Sequence, residues 1–582
     1  MMNLLGLTYL AIGLAVCHAQ FVFPDQYEAM KLEAERRLST RPTYPQSFSG
    51  GSQSLSLAPS SFPWRQESTR PSHLSIANAL LPPGWQDYVI NLISTGVTQF
   101  TLDMDRAVDN ASSSSSSREN VLFSPVSLTA TLAMVLLASG GKTFEEVTRI
   151  LGLQSGVDIS NHSEVVHRIF GLLIQEFNED YRADKNMPQC EVAFGIFVQD
   201  GYPIRKEFRA VSDKIYKSDV TSVDFSNHND KAQSIINNWV DDKTMGKIKK
   251  LLNEPPNPLS AVIIASALYF NGEWNQHFYE GTKRKAFYIE PNEIIYVDFM
   301  YNGGTFPFYE DQNLGLKIIG LPYKGLKVSM YAILPTASGA AALKEIKRHL
   351  TPDVIDRLIN NMQNNSCLIS YPKMELSSTL QLRSALKSLG LLSLFDPRTA
   401  DLSILSPGRG HGDNVDGGPA FITWRSLDPD STDDYRRQSK SGRPNFLYKY
   451  NTRNYTVEQW NNGYKLRYTP RVKRQSRSVE REFADFLGSQ RLALFGLDEL
   501  RNSAGVTNPG LFADDVVHKV EMTVNERGTE AAAVTGVLLN RSGDYRRFIA
   551  NRPFLFFIRH DLSKLIWFWG SINRPTPFYH DP

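Results

Sequence analysis

The first hydrophobic feature of the chain is a nearly unbroken apolar run from Leu4 to Val16, followed by Cys17-His18-Ala19. An apolar core closed by small residues at its last and third-last positions is the pattern of a secretory leader. Residues 1–19 are therefore expected to be a signal peptide cut after Ala19, and the protein to be secreted into the extracellular space. Residues 20–82 are rich in Ser, Pro, Gln and Arg and cannot bury enough apolar surface to order themselves, so they read as a disordered tail. From Trp85 the pattern changes: Tyr88, Ile90, Leu92, Ile93, Val97 and Phe100 recur at helical spacing. Six serines, Ser112 to Ser117, then form a loop. Ser124-Pro125 predicts a helix start, with Ser capping free N–H groups and Pro at the first helical position; Gly140-Gly141 ends that helix. Thr143-Phe144-Glu145-Glu146 has the form of a capping box and predicts a second helix to about Leu151.

Strand-like runs come later, at Ala261–Phe270, Val328–Leu334, Cys367–Tyr371, Val516–Val524, Phe554–Ile558 and Leu565–Trp569, the last two apolar enough for burial on both faces. Helices first and strands gathered later predict an α+β fold and not a βαβ alternation. Between Pro407 and about Gly510 the strand character gives way to Gly, Asp, Arg, Tyr and Asn, which reads as an insertion of low order over residues 408–510.

The length of 582 residues suggests several domains, or one large domain with appendages. A net charge of +2, from 63 Lys and Arg against 61 Asp and Glu, argues against a surface that is basic throughout. The charge is uneven, however: residues 435–481 hold 13 basic residues against Glu458 and Glu480, a net +11. Beyond the first residues no apolar run is long enough to span a bilayer. Of three cysteines, Cys190 and Cys367 remain after the leader, and the sequence alone does not pair them. Sequons at Asn110, Asn161, Asn364 and Asn454 are glycosylation candidates, and a fifth stands at Asn540. There is no Gly-X-Ser-X-Gly elbow, phosphate-binding glycine loop, His-Glu-X-X-His or Cys-X-X-Cys, and the 11 histidines lack ligand spacing, so neither a cofactor nor a metal is expected. His518, inside an apolar strand, reads as a hydrogen-bonded core histidine.

The most informative stretch runs from Glu526 to Ser542. Read at period two, Thr529, Ala531, Ala533, Thr535, Val537 and Leu539 form one uncharged face, while Glu530 lies on the other. A loop that must also serve as a buried strand has this pattern; an ordinary solvated loop has no reason for it.

Here the sequence resembles the serpin family. Glu526-X-Gly528-Thr529-Glu530-Ala531-Ala532-Ala533-X-Thr535 is similar to the hinge of inhibitory members. Asn120–Ser127, Asn238-Trp239-Val240 with Thr244–Ile248, Leu268–Trp274, Leu321-Pro322-Tyr323, Pro372-Lys373-Met374, Ala400–Ser403, His518–Glu521 and Asn551–Ile558 follow in family order. The resemblance covers residues 83–407 and 511–582. It implies a serpin domain of about three β-sheets and eight to nine helices, with an exposed reactive-centre loop over 526–550. It also implies a monomeric protein that is no enzyme but a suicide inhibitor: a serine protease cleaves the bait bond, and the loop inserts into the central sheet while the covalent complex is trapped. A carrier, chaperone or processed precursor is the other function class, and its members tend to carry charged or bulky hinge residues.

The resemblance also assigns residues. Ser124, Ser127 and His518 match the polar cluster beneath the strands that part, and Trp274 the region where the sheet first opens. Ser266 stands where an Asn is usual, which leads us to expect a looser or water-bridged network. Counting from Gly528 or back from Pro553 places the bait bond at Ser542-Gly543, fitting an elastase-like target. Charge places it one residue earlier, at Arg541-Ser542, where Arg suits a trypsin-like pocket. In the insertion, Arg471-Val472-Lys473-Arg474 resembles a secretory convertase site. The basic window 435–481, interleaved with Tyr and Trp, suits a sulfated glycosaminoglycan or another anionic surface outside the cell rather than nucleic acid.

Overall fold

A computed structural model describes residues 85–111, 120–152, 163, 167, 170–171, 188–409, 455–460, 463–468, 496–503, 506, 508–528 and 545–580. The chain divides into two units, residues 58–415 with 491–582, and residues 1–57 with 416–490. In the second unit the described part is an antiparallel hairpin of Tyr455–Trp460 and Gly463–Tyr468.

In chain order the elements are α1 (Trp85–Ala111), β1 (Val121–Phe123), α2 (Pro125–Ala138), α3 (Gly141–Ile150), β2 (Gln189–Gln199), α4 (Lys206–Val211), β3 (Asp219–Val223), α5 (Asn229–Lys243) and β4 (Val262–Asn271). Then come β5 (Tyr279–Glu290), β6 (Glu293–Asp311), β7 (Leu316–Pro322), β8 (Val328–Pro335), α6 (Ala340–His349), α7 (Pro352–Asn360), β9 (Gln363–Pro372), β10 (Met374–Gln381) and α8 (Arg383–Ser388). The chain closes with β11 (Tyr455–Trp460), β12 (Gly463–Tyr468), α9 (Leu497–Arg501), β13 (Ala513–Val524), β14 (Arg546–Ile549), β15 (Phe554–His560) and β16 (Ile566–Ile572). Nine α-helices thus stand among the described residues, and the fold is α+β.

Two large sheets make the framework. One has five strands in the order β10-β13-β4-β2-β3; the other follows β1-β16-β15-β8-β7-β6-β9-β14, with β5 also on β6. The long β6 joins two of the three expected sheets into that path. Its first part pairs with β5 and its middle with β9, and only Phe308–Asp311 pair with β7. The apolar runs of β15 and β16 are buried at every position, as continuous hydrophobicity predicts for strands covered on both faces.

α2 starts as its sequence predicts: Ser124 Oγ accepts from Ser127 N at 3.2 Å, with Pro125 in the first turn. Its residues are buried almost without exception, so it runs through the core. α3 differs from the expectation. It begins at Gly141, and Thr143 caps nothing. Thr143 Oγ1 instead accepts from Asp401 N and lies 3.0 Å from Ser393 Oγ, while Glu146 takes the N–H groups of Leu392 and Ser393 and the Ser393 hydroxyl. The capping-box side chains serve tertiary partners, because Ser393 is buried and its polar groups need partners.

The expectation of low order across 408–510 is corrected in two places. Tyr455–Trp460 and Gly463–Tyr468 pair as a hairpin, and α9 belongs to the unit built on the two large sheets, with Leu497 fully buried. Arg501 at the end of α9 is 4% exposed. Its Nε donates to Ser139 O at 3.0 Å, and Nη2 reaches Leu137 O at 3.4 Å and Leu136 O at 3.5 Å. Nη1 donates to Ser163 Oγ and Asp498 Oδ1, both at 2.7 Å, and the guanidinium lies 4.4 Å from the Phe144 ring centre. A segment within the insertion's last part therefore caps the open carbonyls at the C-terminal end of α2. Arg501→Met should strip those donors and leave Asp498 buried beside them, costing about 3 kcal/mol; a lowered urea unfolding midpoint would register it, and an unchanged midpoint would refute it.

Candidate functional site

The site is the boundary between β4 and β13. These strands lie side by side and parallel, from Val262 against Ala513 to Phe270 against Met522, with one bulge between Ala513 and Asp515. Parallel ladders are the weaker pairing per residue. A strand entering between them from the far end of β13 would run antiparallel to both, exchanging one parallel ladder for two antiparallel ones.

At the middle of this boundary His518 stands opposite Ser266 in the register. Ser124 N donates to His518 Nε2 at 2.9 Å, so the ring proton sits on Nδ1, which faces Ser266 Oγ at 2.7 Å. The expected looser or water-bridged network is thus corrected: direct pairing in the ladder brings the serine hydroxyl close enough to serve without the reach of an amide. Ser127 contributes its backbone N–H to Ser124, and its own hydroxyl, also buried, makes no hydrogen bond among the described residues. The cluster therefore ties both β4 and β13 to the start of α2.

Burial pushes the His518 imidazole down to about 3, and does the same to His167 and His560. These rings stay neutral when folded but take up a proton near 6.5 when unfolded. Between those values the unfolded chain binds more protons, so the stability they contribute is complete above about pH 6.5 and declines as pH falls. Each should forfeit about 2 kcal/mol between pH 7 and 5. Asp515, which burial raises to about 6, acts in the opposite sense and returns about 1 kcal/mol. The net expectation is a loss of several kcal/mol, read as a lower urea midpoint at pH 5; equal midpoints would contradict it.

Beyond Val524 the chain turns through Asn525–Gly528, which bond to each other through both backbone pairs at 3.3 Å. This turn is fastened to the segment following β4. Trp274 N donates to Arg527 O at 3.1 Å, Phe278 N to Glu526 O at 2.8 Å, and Trp274 Nε1 to Asn525 O at 2.9 Å. Trp274 in turn stacks on Tyr323, with ring centres 4.4 Å apart and planes 14° from parallel. Burial would raise the Glu526 carboxyl, but the Thr282 hydroxyl and the Lys373 ammonium, 3.1 Å from Oε2, outweigh it and hold it below its ordinary value. Gly528 has φ +106°, and a Cβ there would meet Gly272 O at 2.1 Å and Glu273 Cα at 2.6 Å. Only glycine lets the hinge lie this close to the neighbouring backbone.

Glu526, Gly528, Trp274, Ser124, Ser127, Ser266 and His518 are thus brought to one boundary between two strands. Thr529, Glu530, Ala531, Ala532, Ala533, Thr535, Arg541 and Ser542 lie outside the described residues, as do Arg471, Lys473, Arg474, Asn161 and Asn454. Asn110 and Asn364 are exposed. Cys190 and Cys367 are free and buried on different sheets, and burial raises both thiols, Cys367 to about 11. Sequence reasoning missed Asn525, Thr282 and Lys373. Lys373 stands in a family-like block, but only the fold sets it beside Glu526. Among the described residues no group of acidic, His or Cys side chains could hold a metal ion, and no helix is long and apolar enough to cross a membrane.

The family model described as "Serpin (serine protease inhibitor)" matches residues 95–417 and 487–575, passing over most of the insertion. Serine protease inhibitor 28Dc of Drosophila melanogaster is 28% identical over 482 residues, 78% of this chain and 75% of its own. Serpin B11 of Mus musculus is 30% identical, over 83% of this chain and 99% of its own. Among solved structures, mouse protein-Z dependent protease inhibitor superposes with a TM-score of 0.59 at 20% identity, covering 84% of this chain and 98% of that one. Uncleaved ovalbumin gives 0.57 at 18%, covering 83% and 100%. The structural likenesses speak for the fold, and the family model together with the mouse relative for descent: this protein is a member of the serpin family.

Proposed function

We propose that this serpin is a secreted suicide inhibitor of a trypsin-like serine endopeptidase. The observation that carries the reading is the direct parallel pairing of β4 and β13, with the hinge Glu526–Gly528 seated beside the end of that boundary. The small, uncharged face of Thr529, Ala531, Ala533 and Thr535 suits entry into it. The target's own serine attacks the carbonyl carbon of Arg541. The Arg541–Ser542 peptide bond breaks, Ser542 leaves with a free amine, and an ester joins the two proteins. Insertion of the loop then carries the tethered protease away before water can cleave that ester. The inhibitor contributes no catalytic group; it contributes an incomplete sheet that gains a strand.

Arg541 favours a pocket with a buried carboxylate. Loop counting favours Ser542–Gly543 and an elastase-like target, and the two differ in the released peptide. Incubation with trypsin-like and elastase-like proteases should give an SDS-stable complex with one of them. Mass spectrometry of the released peptide should then show Ser542 or Gly543 as the new N-terminus. Cleavage without any complex would overturn inhibition in favour of a carrier, chaperone or precursor role. The leader-like residues 1–19 support secretion, and the +11 window 435–481 supports binding of a sulfated glycosaminoglycan. Arg471, Lys473 and Arg474 support processing by a convertase.

A further inference from the structure

The strand that receives the chain after the loop carries charge that the fold does not use. β14 is the last strand of its sheet path and pairs with β9 alone, Arg546 against Cys367 through Ile549 against Ser370. An edge strand presents one unpaired side. Phe548 turns inward and is fully buried, while Arg546 and Arg547 are exposed. Neither guanidinium makes an ion pair or a hydrogen bond among the described residues. Arg552, a few residues on, behaves differently: its Nε donates to Pro335 O at 2.8 Å and it is part of the packing.

The position of the pair matters more than its exposure. Arg546 and Arg547 follow Ser542 by four and five residues, so they lie no more than about 14 and 18 Å from it along the chain. A protein docked on a standard-sized interface covers about 800 Å² on each partner, a disc of about 16 Å radius. A protease seated on the bait bond therefore has these two charges beneath or at the rim of its footprint. They lie on its primed side, where the departing half of the loop runs. With a Debye length of about 8 Å at physiological salt, charges at that rim are felt during approach.

We propose that Arg546 and Arg547 form a docking contact that selects proteases with an acidic rim on the primed side of the cleft. The proposal rests on the inhibitor reading above and adds to it a determinant of target choice outside the bait bond. Rim charges act mainly on the rate of encounter and its salt dependence. The pair is therefore expected to set how fast a suitable protease is met, and not how well it is trapped.

The test measures second-order rate constants for the full-length protein with anionic trypsin as the probe, at 20 mM and 500 mM salt. The double variant Arg546→Glu/Arg547→Glu should slow association about tenfold at low salt, with the difference shrinking to less than about twofold at high salt. The stoichiometry of inhibition should not change. Arg546→Gln/Arg547→Gln should fall between, which guards against a folding defect, as does an unchanged unfolding midpoint. Lys231→Glu serves as the control: it reverses an exposed charge on α5, which packs on the five-stranded sheet through Trp239 and Phe197, and should leave the rate unchanged. Equal rates for the wild type and both double variants would overturn the docking contact while leaving inhibition intact. If the wild type is cleaved without trapping, inhibition fails instead. The same comparison made on cleavage rates would still decide whether the arginines guide docking.

Discussion

Thr529→Arg is expected to turn the protein from an inhibitor into a substrate. On the proposed mechanism Thr529 leads the uncharged face that enters between β4 and β13, whose ends there are the buried side chains Phe270 and Met522. An arginine carried into that place would be a desolvated charge without a partner, at a cost of several kcal/mol. If 3 kcal/mol of this falls on the insertion step, insertion slows by about a hundredfold. Deacylation is unaffected, because its chemistry belongs to the protease. The acyl-enzyme would then hydrolyse before the loop is drawn in. The SDS-stable band should vanish and the stoichiometry of inhibition should rise by more than about tenfold. Glu530→Arg, on the opposite face, should keep the complex. A stable complex formed by Thr529→Arg at unchanged stoichiometry would refute the insertion argument.

Gly528→Ala is expected to destabilise the closed sheet by about 2–4 kcal/mol. Two effects combine. The residue holds φ at +106°, and its new Cβ would overlap the backbone of Gly272 and Glu273, which has no flexible end to swing aside. The turn must shift, and with it go the bonds from Trp274 N to Arg527 O and from Phe278 N to Glu526 O. Those bonds close the end of the boundary through which a new strand enters, so spontaneous loop insertion should also speed up. A lower urea midpoint for the closed form, with faster conversion to a heat-resistant form at 37 °C, is the expected pair of results. An unaltered midpoint would show that the hinge accommodates a side chain.

Both predictions start from residues whose meaning was legible in the sequence. The hinge was visible because a segment that alternates between loop and buried strand must carry small uncharged residues at every second position. The start of α2 was visible because Ser124 and Pro125 act within a single turn. β15 and β16 were visible because burial on both faces leaves their apolar runs, Phe554–Ile558 and Ile566–Trp569, without a charged position. Other elements were hidden for equally physical reasons. β5 has a largely exposed middle, with Lys283, Arg284 and Lys285 in succession, so its pattern is not that of a buried strand. β6 carries Gly303, Gly304 and Pro307 inside its span, which read locally as breakers and are tolerated because the strand pairs there with β9 on one side, leaving the other side without a ladder to break. The box at Thr143 was misread because its side chains have better partners 250 residues away. α9 was hidden near the end of the insertion, although Leu497, Leu500 and Arg501 have helical spacing.

The family, the start of α2 and the buried strands are legible in the local sequence, because each depends on interactions within a few residues. The tertiary fold alone brings Ser266 directly to His518, since their contact depends on the register of two strands about 250 residues apart. It likewise decided that Lys373 and Thr282 hold Glu526, and that Arg501 closes the end of α2. Those partners come from distant segments, and no local pattern encodes which buried charge or carbonyl will need them.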